Sequence, residues 1–130
     1  MIRSSLTSAL RRTAARALLG CALSFAAAAL HATPDARSAA EIDALLAFVA
    51  ASECTFIRSG KEYDGAEARK HLAMKYRYAR SRIQSADQFI RDVASASSMS
   101  GDPYQVRCGT VQEPARAWLE AELRRVRGQH

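Results

Sequence analysis

His71 is the one histidine placed well inside the chain, since His31 lies in an apolar front segment and His130 is the last residue. Glu67 precedes it by four residues and Lys75 follows by four, so on a helix Glu67, His71, Lys75 and Tyr78 share a face. An imidazole oriented by a carboxylate is the arrangement of a general base. The same spacing also builds an ordinary ion-pair ladder along a helix surface. Ser95, Ser97, Ser98 and Ser100, just ahead of Gly101, would supply the nucleophile of a hydrolase or transferase that used His71 as base. No G-x-S-x-G or S-x-x-K motif accompanies them, and serines also gather at helix ends, where their hydroxyls satisfy loose backbone groups.

Arg58 offers different chemistry. It ends an alternating run, Cys54 to Arg58, next to Ser59-Gly60, and a guanidinium held against an aromatic ring is suited to gripping a carboxylate or phosphate. Lys75, Tyr104 and His71 are the candidates to complete such a ligand site. The bland reading pairs Arg58 with Glu53 or Glu62. Arg69, Lys70, Lys75, Arg77, Arg80 and Arg82 make one stretch strongly basic, which suits either acidic lipid or glycan, or plain solvent. Two cysteines and one internal histidine at no finger-like spacing do not predict a zinc site. Neither a phosphate loop nor a dinucleotide fingerprint is present, so no metal or cofactor is expected.

These residues need elements to carry them. Ile42, Leu45, Leu46 and Val49 recur at helical spacing and predict a helix over 41–52. Asp64-Gly65-Ala66-Glu67 reads as a capping box opening a second helix that runs to about Arg82. Ser85-Ala86-Asp87-Gln88 repeats the signal ahead of Phe89, Ile90, Val93 and Ala94. Pro114 opens a fourth helix containing Trp118, Leu119, Leu123 and Val126. Cys54–Arg58 and Tyr104–Cys108 alternate as short strands, with Ser59-Gly60-Lys61 as a turn and 109–112 as a connector. If Cys54 faces Cys108 in an antiparallel ladder, Phe56 opposes Val106 and Arg58 opposes Tyr104, all on one face. The expected fold is mainly α: a small bundle of about four helices with a two-stranded antiparallel clasp closed by a disulfide.

The front of the chain reads as an export signal, residues 1–32. Arg3, Arg11, Arg12 and Arg16 precede an apolar run of 14 residues, Ala17 to Leu30, and Leu30-His31-Ala32 offers a cut. The run is shorter than the roughly 20 residues of a membrane span. Removing it would leave a mobile segment over 33–40 and a single domain over 41–130, with no transmembrane segment. The chain's net charge of +6 falls to about +2, because all four leader charges are basic. Bulk charge therefore gives no case for nucleic acid. Cys21 leaves with the leader, and Cys54 and Cys108 remain as an even pair in an oxidising compartment, the periplasm. A bridge closing about 55 residues stabilises by roughly 4 kcal/mol in the chain-entropy model.

The block Cys54-x-Phe56-x-Arg58-x-Gly60, the pair His71-Leu72 with Lys75, and the segment Ala94-Ser95-x-Ser97-Ser98 with Gly101 and Tyr104 resemble an exported proteobacterial family catalogued as a domain of unknown function. The likeness spans nearly all of 41–127, Trp118 included, and that family usually shows Asn where this chain has Ser59. It implies export and a shared fold, and supplies no activity. The expected role is a small periplasmic binding or accessory module, contacting an anionic envelope ligand or a protein partner. The alternative is a hydrolase or transferase using His71, Glu67 and Ser97 or Ser98.

Overall fold

A computed structural model describes residues 33–128. The proposed leader, its cut, Cys21 and His130 lie outside the described residues. The first helix, α1 (Ala36–Ala51), starts five residues earlier than its apolar stripe suggests. The cause is local: the Asp35 carboxylate accepts from the Ser38 backbone N–H at 2.7 Å and caps the helix there. Residues 36–40, expected to be mobile, are thus helical. Ile42, Leu45, Leu46 and Val49 are buried as the stripe requires.

Two strands follow, β1 (Thr55–Arg58) and β2 (Lys61–Tyr63), joined by Ser59-Gly60. Both turn residues have positive φ, 49° and 76°, the pattern of a two-residue hairpin whose twist matches its strands. Asp64 and Glu67 form the reciprocal capping box of α2 (Gly65–Ala79), which tightens into a 3₁₀ turn at Arg80–Arg82. Ser85 caps α3 (Ala86–Phe89), which widens into a π-helical turn over Ile90–Ala94. Then come β3 (Gln105–Cys108), β4 (Val111–Pro114) and α4 (Ala115–Arg127).

The clasp is larger than expected. The sheet has four antiparallel strands in the order β2-β1-β3-β4. The two added strands are short and polar edge strands, Lys-Glu-Tyr and Val-Gln-Glu-Pro, without the apolar alternation that marks a buried strand. Pro114 is tolerated at an edge because no further strand needs its missing N–H. It closes β4 and sits just ahead of α4, whose first residue is Ala115.

The central register is the one read from the cysteines: Phe56 pairs with Val106, flanked by Thr55–Arg107 and Ile57–Gln105. Cys54 and Cys108 continue it as a disulfide with Cα atoms 4.5 Å apart. One sheet face is buried under the helices through Phe56 and Val106. Trp118 of α4 stacks on Phe48 at 4.3 Å and meets Phe56 edge-on at 5.5 Å, tying α1, α4 and the sheet together. Gly65 is where α2 crosses α1. A Cβ there would lie 2.5 Å from the Val49 carbonyl oxygen and 2.8 Å from that of Ser52, so only glycine permits the approach.

Candidate functional site

The side-chain period of a strand puts Arg58 on the same face as Phe56, and pairing places Tyr63 opposite Phe56. Tyr104 precedes Val106 by two and is buried on that face as well. All three lie toward one end of the sheet, beyond the packed centre. Helix α2 crosses this end and presents His71 and Lys75, one turn apart. The strands thus supply a guanidinium and two phenols, and the helix supplies an imidazole and an ammonium.

The contacts are close. Arg58 Nη1 lies 2.7 Å from His71 Nδ1 and 2.9 Å from Nε2, and Arg58 Nη2 donates to Tyr63 Oη at 2.9 Å. His71 Nε2 is 3.1 Å from Tyr104 Oη. Lys75 Nζ donates to the Ala96 carbonyl at 2.7 Å and to Tyr104 Oη at 3.0 Å. The Arg58 guanidinium also stands over the Tyr63 ring, and Lys75 Nζ over that of Tyr104, each 4.8 Å from the ring centre.

A guanidinium cannot accept a hydrogen bond, so the His71 nitrogen that takes its proton is bare. The ring meets Arg58 as an acceptor, and Nε2 shares a hydrogen bond with Tyr104 Oη. Burial holds the His71 pKa below its usual value, and Arg58 and Lys75 push it the same way, so the ring is neutral at pH 7. Burial also lowers Lys75 from 10.5 to about 8, with Arg58 adding to the effect. Tyr104 moves upward through burial, with Arg58 opposing.

Two cations therefore sit side by side, half-buried, at one sheet end. Among the described residues neither Arg58 nor Lys75 is paired with a carboxylate. Donors outnumber acceptors here. Lys75 has one N–H beyond its two bonds, and Arg58 has three beyond those to His71 and Tyr63. Tyr104 Oη accepts from Lys75 and shares a hydrogen bond with His71 Nε2. The group faces a pocket of about 420 Å³ completed by Ser59, Lys61, Ser97, Ser98 and Met99. At its exposed rim Asp102 accepts from Ser59 Oγ at 3.4 Å.

Arg58, His71, Lys75 and Tyr104, expected as one site, do converge. The proposed catalytic set does not assemble in the same way. Glu67 spends its carboxylate on the Asp64 backbone N–H at 3.1 Å and caps α2 instead of orienting His71. Ser97 Oγ accepts from the Met99 and Ser100 backbone N–H groups, each at 3.3 Å, which folds its own loop. Ser97 and Ser98 both line the pocket, and neither makes a hydrogen bond to His71. Tyr78, expected on the face of His71 and Lys75, is 78% exposed and lies under Arg77. No group of three or more His, Cys, Asp or Glu side chains is placed to hold a metal among the described residues. Tyr63 and the Ala96 carbonyl were not expected. The first becomes legible only once β2 is known, and a backbone carbonyl leaves no trace in residue identity.

A family profile described as a family of unknown function, DUF5329, matches residues 36–127. An uncharacterised protein of Salmonella typhimurium strain LT2, YfeK, is 42% identical over 71 residues, or 54% of this chain. That stretch spans 59% of the relative's own length. No solved structure matches. Among the described residues, no helix is long and apolar enough to cross a membrane.

Proposed function

Since the chain belongs to the DUF5329 family of unknown function, we propose its role from the site itself: a small periplasmic module that binds an anionic ligand. One observation carries this reading. Arg58 and Lys75 are two half-buried positive charges sharing one pocket, and no carboxylate neutralises either. Like charges held together out of water repel, and an oxyanion entering between them would relieve the repulsion while using the spare N–H and O–H groups. His71 positions Arg58 by accepting from it, and Tyr104 holds Lys75.

The periplasmic part rests on the leader-like front of the sequence and on the Cys54–Cys108 bridge, which suits an oxidising compartment. The hydrolase alternative has less behind it. The imidazole meets a guanidinium at its ring nitrogens, where a base-orienting carboxylate would be needed, and no serine hydroxyl bonds to it.

Thermal unfolding in the presence of envelope anions tests the proposal, using inorganic phosphate, acetate, short peptides and glycan fragments. At a hundred times its dissociation constant a true ligand adds about 2.7 kcal/mol of stability, a rise of several degrees in Tm. That rise should vanish in Arg58→Ala. Should no anion shift the wild-type protein, the reading loses its footing.

A further inference from the structure

A second hollow, of about 570 Å³, adjoins the charged pocket and shares Arg58, Tyr63, His71 and Tyr104 with it. Its other walls are different in kind. Leu72, Ala73 and Met74 of α2 and Phe56 of β1 line it, so carbon dominates away from the shared end. Met74 is 42% exposed, a large apolar side chain left in reach of solvent beside a charged cluster. Arg69, Lys70 and Arg77, with one carboxylate, Glu67, also line it.

Resting on the anion-site reading, we infer that the ligand is an amphiphile: a carboxylate held by Arg58 and Lys75, with an aliphatic chain running into the hollow along α2. Charge complementarity fixes the sign of the head. Arg69 and Arg77 add positive potential and can lay their methylene stems along a chain. The wall fixes the nature of the tail. The α2 backbone groups beside the hollow are used within the helix, so a peptide laid along α2 would lose hydrogen bonds to water that this wall does not replace. An alkyl chain has none to lose. The volume fits a medium-length chain and lies within the ordinary range for small-molecule sites.

The experiment is calorimetric titration of the purified protein with acetate, butyrate, octanoate and decanoate, and with decyltrimethylammonium as a cation of equal chain length. Affinity should rise about fourfold for each methylene that reaches the hollow, so that decanoate binds at least roughly 100-fold more tightly than acetate. Arg58→Ala should remove the carboxylate series. Met74→Glu, at a partly exposed position that leaves the fold intact by its thermal transition, should weaken decanoate about tenfold. Equal affinity across the four carboxylates, lost in Arg58→Ala, would overturn the chain while leaving the anion site standing. Binding of decyltrimethylammonium as tight as decanoate would overturn both, since the head would then not matter. Binding by none of the carboxylates would also remove both. Binding of a carboxyl-terminal peptide more tightly than decanoate would replace the chain by a peptide in the same anion site.

Discussion

Arg58 and His71 come from a strand and a helix thirteen residues apart, and they meet with Nη1 2.7 Å from Nδ1. Because the guanidinium can only donate, this contact needs a bare ring nitrogen and favours the neutral imidazole. Arginine and histidine are usually read as two positive charges. Here one is the donor and the other the acceptor, and the pair faces Lys75.

The pH dependence of binding follows from Lys75. Its ammonium loses its proton near pH 8 in the free protein. Butyrate affinity should therefore fall above pH 8, by up to about tenfold per pH unit. Lys75→Met should bind more weakly throughout and lose this dependence, which titrations from pH 6.5 to 9.5 would show. Stability has the opposite slope: the folded-state pKa lies below the unfolded value of 10.5, so the fold gains stability as pH rises between about 8 and 10.5. His71 acts in the same sense lower down, and its contribution is lost as pH falls below 6.5.

Arg127 secures the far end of the molecule. It donates to Glu41 at 3.0 and 3.1 Å and to Asp87 at 2.7 Å, bridging α4 to α1 and α3. Glu41 is buried, so Arg127→Ala leaves its carboxylate with only the exposed Arg37 at 3.4 Å and should cost about 1–3 kcal/mol in urea unfolding at pH 7. Hydrogen bonding to Arg127 holds both carboxylates below their ordinary values of 4.5 and 3.8. The stabilisation is thus complete above those values and fades as pH falls through the lowered ones. The difference between wild type and variant should shrink over the same range.

Gly65→Ala should also destabilise, although alanine is the better helix former. The added methyl meets two backbone carbonyls of α1's end, which cannot move aside as a flexible side chain would. A loss of about 1–3 kcal/mol is expected for such overpacking, measured by the same unfolding assay.

Replacing both bridged cysteines, Cys54→Ala with Cys108→Ala, should lower stability by about 4 kcal/mol if loop closure in the unfolded chain is the main effect. The bridge joins residues separated by 54 positions, long enough for a substantial entropic term. An unchanged urea midpoint in the double variant would refute this.

Much of the scaffold was readable because its signals are local or periodic. Asp64 and Glu67 announce a cap through their spacing, and Ile42, Leu45, Leu46 and Val49 announce a stripe. Two cysteines were enough to set the central register, because strand alternation leaves one way to keep Phe56 and Val106 facing in. β2 and β4 were missed because edge strands need no apolar alternation, and their pairing is decided by neighbouring backbone. Arg58, His71, Lys75 and Tyr104 could be nominated as one group, yet the individual hydrogen bonds among them could not. Glu67 lies one turn from His71 and turns to the helix end instead, since a free backbone N–H there competes for it. Tyr63 had no visible role until the hairpin placed it beside Arg58.

The central claim is that an anion sits between Arg58 and Lys75. Following the Lys75 amine by NMR across pH, with and without saturating butyrate, tests it directly. Free protein should titrate near 8, and bound butyrate should move that titration up by about one unit or more, toward the ordinary lysine value. An identical titration in both samples would contradict the account.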